Sequence, residues 1–219
     1  MRAALIGMAL LDMALIGGAG ASAAPTAVLW SALGSARPAL HLNARYPGPG
    51  GQPATLDFWR GADGSVVRRT AGRAELRLTP AKDGEDRYQL RNLGKRVAYD
   101  VHRTNLYRLG ILTDRWSVQH LLDKPATAFT LHDLHQSARV AGQSCAWFRL
   151  TPSAVGRSGG MASTDLCWSA RLGVPLTLKA AGKTLLTVTA VQTGAVKVPT
   201  AALTAGWNEF NADEDIAPD

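Results

Sequence analysis

The sequence predicts a mainly β protein with a minor helical part: a curved antiparallel sheet with one or two helices covering its concave face. Three observations carry this. Apolar and polar residues alternate with period two through many short segments, as in strands with one face buried. The segments are separated by Gly- and Pro-rich turns. Near the middle the period changes once to that of a helix.

The strands follow in order. Leu40, Leu42, Ala44 and Tyr46 alternate with His41, Asn43 and Arg45, and Pro47-Gly48-Pro49-Gly50-Gly51 then turns the chain. Leu56 and Phe58 alternate with Asp57 and Trp59, and Gly61-Ala62-Asp63-Gly64 reads as a hairpin turn into Val66-Val67-Arg68-Arg69. Ala74, Leu76 and Leu78 form the next strand, and a turn is expected at Asp83-Gly84. Tyr88 and Leu90 follow, then Val97, Tyr99 and Val101. This is a meander of about five strands, with one apolar face and one polar, basic face. That is the pattern of an antiparallel sheet covered on one side.

A short helical turn is expected over Asn105 to Leu109. Thr113 or Asp114 then caps a helix through Trp116, Val118, Leu121 and Leu122, ended near Lys124-Pro125. Strands resume with Ala138 to Leu150. A Gly/Ser segment from Pro152 to Ser163 leads to Asp165 through Ala170. Val174 to Leu178, Leu185 to Val191 and Ala195 to Val198 complete a second meander. The tail is acidic and is expected to be disordered, so residues 24–210 are read as one domain and 211–219 as a disordered tail.

The N-terminus points to export. Arg2 precedes an apolar stretch from Ala3 to Gly20, broken only by Asp12, and Ala21-Ser22-Ala23 offers small residues for a signal peptidase. Residues 1–23 are therefore read as a signal peptide cleaved after Ala23, with the rest of the chain in the periplasm. Two cysteines, Cys145 and Cys167, are present. Two thiols in an oxidising compartment pair as a disulfide. Closing that loop stabilises a fold by roughly 3 kcal/mol in the chain-entropy model. A redox or metal pair is the other reading, but the spacing is not CxxC and no His lies close to either residue.

Formal net charge is +7. The excess is dispersed over Arg68-Arg69, Arg73, Arg77, Arg87, Arg91, Lys95-Arg96, Arg103 and Arg108. Export removes nucleic acid as a partner. It leaves a solvated basic face, or one that docks on an anionic membrane surface or an envelope protein.

The C-terminal half carries a family likeness. Ala141-Gly142-Gln143-Ser144-Cys145-Ala146-Trp147 is followed by Asp165-Leu166-Cys167-Trp168 and by Leu172-Gly173-Val174-Pro175-Leu176-Thr177-Leu178, then by Val198-Pro199 and Gly206-Trp207. Over residues 136–207 this resembles periplasmic proteins of the lipoprotein-carrier (LolA-like) superfamily, in particular uncharacterised relatives with a cysteine pair. The resemblance implies a half-barrel closed by helices, with acyl chains held on its concave face.

Catalytic signatures are weak. His132-Asp133-Leu134-His135 has HxxH spacing, which on a helix would suit a metal but otherwise reads as a polar loop. Asp100 and His102 share a strand face and would need Ser137 or Ser169 to form a triad, yet no G-x-S-x-G elbow is present. His41 and His120 read as surface residues. No cofactor or metal is expected, and an envelope hydrolase is the least favoured of three readings. Six Trp stand against four Tyr and four Phe, and they either fill a core or line an apolar cavity. The leading expectation is a binding module for a hydrophobic small molecule, a lipid or an acyl chain. Leu76, Leu78, Tyr88, Leu90, Tyr99, Trp116 and Leu121 would line its site. The second is a non-enzymatic protein that docks a partner through the basic face.

Overall fold

The structure is a computed structural model that describes residues 26–28, 30–81, 86–103, 106, 114–122, 129–152, 163–200, 202–203 and 205–215. The expected signal peptide, the turn at Asp83-Gly84, nearly all of the short helical turn after Asn105 and the inside of the Gly/Ser segment lie outside the described residues.

The strands are β1 Thr26–Val28, β2 Leu40–Pro47, β3 Pro53–Arg60, β4 Val66–Thr70, β5 Ala74–Thr79, β6 Arg87–Asn92 and β7 Val97–Val101. After helix α1, Arg115–His120, come β8 Phe129–Val140, β9 Gln143–Pro152, β10 Thr164–Ser169, β11 Val174–Ala180, β12 Lys183–Thr193 and β13 Asn208–Asn211, then the turn-length helix α2, Ala212–Asp215. All the strands join one open sheet in the order β1-β8-β9-β10-β11-β12-β2-β3-β4-β5-β6-β7-β13. Two antiparallel meanders, β2 to β7 and β8 to β12, are fused where β12 pairs with β2. At the far edge β13 runs parallel to β7.

The sequence placed most elements. It joined 138–150 into one strand, however, whereas Ala141 and Gly142 adopt φ +48° and +74° and turn β8 into β9. Positive φ at both central residues is the two-residue hairpin geometry whose usual signal is Asn-Gly or Asp-Gly. Ala-Gly gives a weaker signal. The helix also stops earlier than expected: Asp114 caps it by accepting from the Ser117 amide at 2.6 Å, and Leu121 ends it in the left-handed region. The expected strand at 195–198 does not form. That segment belongs to a strap that leaves β12 and reaches β13, which ends at Asn211, the first residue of the expected tail.

The strap crosses the outer face of β3 to β7. Arg77 donates to the Pro199 carbonyl, the Arg91 guanidinium lies 5.7 Å from the Trp207 ring centre, and a Cβ on Gly61 would meet Val198 at 3.2 Å. Val67, an outer-face residue, is buried beneath it.

On the inner face a continuous core runs through both meanders, from Leu42, Phe58, Leu78 and Tyr88 to Val174, Leu176 and the cysteines, and it takes in Val118 and Leu121 of α1. A second core gathers Leu33, Leu122, Leu131, Phe148, Leu166 and Trp168, with Trp30 and Trp116 packed against it. Helix α1 bridges the two. Arg60, fully buried at the end of β3, holds this junction by donating to the carbonyls of Pro38, Gln119 and Leu172. Burial lowers its pKa to about 10, so it stays charged at neutral pH. A buried guanidinium persists only with its donors satisfied, and here they tie together a loop, the last turn of the helix and the β10–β11 turn.

Candidate ligand-binding site

The site is read from the register. Successive inner-face partners form one row across the sheet: Val191, Leu42, Phe58, Arg68, Leu76, Leu90, Tyr99 and Phe210. Every member is apolar or aromatic except Arg68. Burial falls along the row. Leu42 and Phe58 are fully buried and Leu76 is 6% exposed, but Tyr99 is 41% and Phe210 46% exposed. The next row toward the helix, Leu40, Arg60, Val66, Leu78, Tyr88 and Val101, is buried throughout.

Where the middle row opens, a recess of about 340 Å³ is lined by Arg68, Thr70, Leu76, Leu90, Asn92 and Tyr99, among others. Its floor is the pleated surface of β4 to β7. Tyr99 and Phe210 stack beside it with ring centres 5.5 Å apart. Side chains on neighbouring strands reach each other in this way when they are directly paired.

The seven residues expected to line a ligand site therefore separate. Leu76, Leu90 and Tyr99 line the recess. Leu78, Tyr88 and Leu121 are core residues beneath the helix. Burial pushes the Tyr88 phenol up to about 12, with Asp86 adding to the effect. Trp116 lies in an aromatic cluster with Trp30 at 5.2 Å, the stacked ring of His120 at 4.3 Å and Trp168 at 6.2 Å. Trp168 donates its indole N–H to the Leu33 carbonyl. These aromatics fill a core.

Two residues that sequence reasoning did not assign to this face belong to it. Arg68 was grouped with Arg69 on the basic side, but its pairing with Phe58 and Leu76 turns it inward. Counting parity back from Leu76 through the turn at Ala71 and Gly72 would have shown this. Phe210 is the last residue of the stretch read as the domain, and the alternation of Trp207, Asn208, Glu209 and Phe210 was the available signal.

The outer face is not a free basic surface either. Asn43, Asp57, Arg69, Glu75 and Arg91 form a cross-strand polar ladder. Glu75, with only 1% of its side chain exposed, pairs with Arg69 at 2.8 Å, Arg77 at 2.7 Å and Arg91 at 3.4 Å. Burial pushes its carboxyl up, but the hydrogen bonds from Arg69 and Arg77 outweigh this and hold it below the ordinary value. Arg73, Arg87, Lys95 and Arg96 remain exposed.

The other candidates are placed as follows. His132 and His135 lie on β8, so the HxxH spacing falls on a strand and not on a helix or in a loop. His135 sits 3.8 Å from Asp133 at a bulge. Among the described residues no three His, Cys, Asp or Glu side chains gather closely enough to share a metal. Asp100 accepts from Gln89 at 2.8 Å on the outer face, whereas Ser137 and Ser169 lie on β8 and β10 in the other half of the sheet. His41 is on the outer face, stacked on Trp59 at 4.6 Å. His120, expected at the surface, is buried. Cys145 and Cys167 form the disulfide, joining the adjacent strands β9 and β10 within the inner core.

No protein-family model matches the chain, and no curated protein matches it. Among solved structures it is similar to MucB, at 20% identity and a TM-score of 0.41 over 74% of this chain and 55% of that one. It is similar also to the Pseudomonas aeruginosa MucA/MucB complex, at 19% identity and 0.40 over 73% and 53%. PNGF-II aligns at 9% identity and 0.44 over 81% of this chain and 32% of that one. The chain thus spans about half the length of the MucB chains.

Proposed function

We propose that this protein is a periplasmic binding protein for a hydrophobic small molecule, a lipid or an acyl chain, held on the inner face of the sheet without covalent chemistry. The observation that carries the reading is the recess on the open half of the inner row, where Leu76, Leu90 and Tyr99 present apolar surface that the helix leaves uncovered. An exposed aromatic pair, Tyr99 stacked on Phe210, beside an apolar hollow marks a surface that an occupant would cover. The recess volume lies at the lower end of the range for small-molecule sites. The disulfide suits an oxidising compartment, and the sequence likeness to LolA-like carriers points to the same class of ligand. Burial of apolar area at roughly 25 cal/mol per Å² supplies the driving force. Docking to an envelope protein or an anionic membrane surface has less support. Arg69, Arg77 and Arg91 converge on Glu75, which leaves that role to Arg73, Arg87, Lys95 and Arg96.

Calorimetric titration of delipidated protein with fatty acids and phospholipids tests the reading. Saturable binding is expected, weakened at least about tenfold, or 1.4 kcal/mol, by Leu90→Asp and unchanged by Arg73→Glu. Absence of saturable heat with every lipid tried would overturn it.

A further inference from the structure

We propose that helix α1 is an acid-released latch: protonation of His120 frees its last turn from the sheet and uncovers the inner-face row of Leu78, Tyr88 and Val101. The latch operates whether or not the recess is occupied.

The surroundings of the imidazole accommodate one proton and not a second. His120 is 1% exposed. Its ring packs against Trp116 at 4.3 Å and Trp168 at 6.1 Å, and a Cβ on Gly173 would lie 3.5 Å from its Cδ2. Nδ1 donates to the Trp116 carbonyl at 2.8 Å, which fixes the neutral ring's proton there. Nε2 is buried and has no hydrogen-bond partner among the described residues. A proton on Nε2 is therefore a buried donor without an acceptor, on a ring that has become charged. The charged groups facing the ring oppose it further. β3 presents Arg60 and the segment before β2 presents Arg37, both cations, against Asp114 at the start of α1 itself. From β10 and the β10–β11 turn the ring meets Trp168 and Gly173, which carry no charge. Burial, with the two arginines adding to it, lowers the pKa to about 4 from 6.5.

The same turn carries the ties between helix and sheet. Arg60 donates to the Gln119 carbonyl, Arg37 donates to Gln119 Oε1 at 2.9 Å, and Gln119 Nε2 donates to the Gly64 carbonyl at 2.9 Å. A cation on His120 repels both of the arginines that hold its neighbour. Val118 and Leu121 share one core with Leu78, Tyr88 and Val101, and that row lies beside Leu76, Leu90 and Tyr99 of the recess. Release of the turn extends the recess into a row that the helix otherwise covers. In the open state the imidazole regains the ordinary value of a solvated histidine, so opening takes up a proton and is favoured as pH falls. Between pH 7 and pH 4.5 this multiplies the opening equilibrium about sixtyfold.

Amide hydrogen exchange of the native protein at pH 7 and pH 4.5, corrected for the intrinsic rate at each pH, tests this. The opening equilibrium at Val118, Gln119 and His120 should rise about sixtyfold, while that of the β2 and β3 amides should change by less than about threefold. His120→Phe should remove the rise. So should His120→Asn, which is neutral and can still donate to the Trp116 carbonyl, and Tm values at pH 7 show which variants fold. In the native protein, nitrogen NMR of the imidazole should show a neutral ring protonated on Nδ1 at pH 5.5. A rise that persists in a folded variant, a rise shared by β2 and β3, no rise at α1, or a charged ring at pH 5.5 would each overturn the latch.

Discussion

At the scale of single residues, the fold depends on groups whose partners are far away in sequence, and these were the least legible. Arg60 looks like any strand-end arginine until Pro38, Gln119 and Leu172 are brought to it. His120 looks like the polar residue of an exposed helix face. In the fold it is 1% exposed, donates from Nδ1 to the Trp116 carbonyl at 2.8 Å and leaves Nε2 without a partner among the described residues. Burial lowers its pKa to about 4 from 6.5. The unfolded chain therefore binds a proton that the native state refuses between those values, so stability falls as pH drops from 6.5 toward 4. The full loss is about 3 kcal/mol. Denaturant unfolding at pH 7 and pH 4 should show the native protein losing that much more than His120→Phe, whereas parallel losses would contradict the assignment. Gly173 is a second such residue. It has φ +64°, and a Cβ there would lie 1.9 Å from the Ala36 carbonyl oxygen. Gly173→Ala should cost roughly 2–4 kcal/mol of unfolding free energy, and a cost below about 0.5 kcal/mol would contradict the close approach.

At the scale of elements, the strands were legible because period two is a local signal and each strand buries one face. The helix was legible because Asp114 and the apolar spacing of Val118, Leu121 and Leu122 announce it. The β8–β9 hairpin was not, since an unbroken run of strand-like residues hid an Ala-Gly turn. Replacing Ala141, at φ +48°, with Asn should raise stability by about 0.5 kcal/mol, because Asn tolerates that conformation better. The strap was illegible for another reason: its contacts, Arg77 with the Pro199 carbonyl and Arg91 with the Trp207 ring, are made by arginine side chains across the sheet and leave no periodic trace. The Cys145–Cys167 pair was readable from the expected export and from the number of cysteines. Reduction, with the thiols then blocked, should lower the unfolding free energy by about 3 kcal/mol as measured by urea titration. No change would mean that the 22-residue separation closes a loop already structured in the unfolded chain.

At the scale of the whole molecule, the two faces of the sheet are built for different ends. The outer face is closed by a strap over an ion-pair ladder centred on Glu75. Among the described residues the inner face is closed at one end by α1, and burial declines along the middle row to the β13 edge. The sequence revealed that one face was apolar, but not how much of it the helix covers, since that depends on where the helix ends and on what Arg60 ties to it. Hence the seven expected ligand residues divided between a filled core and an open recess. The most direct test of the central claim is to map decanoate binding by NMR chemical-shift changes on the assigned protein. The account predicts that the shifts gather at Leu76, Leu90, Tyr99 and Phe210, with Trp116, Leu121 and Trp168 unmoved. Shifts centred on Trp116 and Leu121, or on the outer-face arginines, would contradict it.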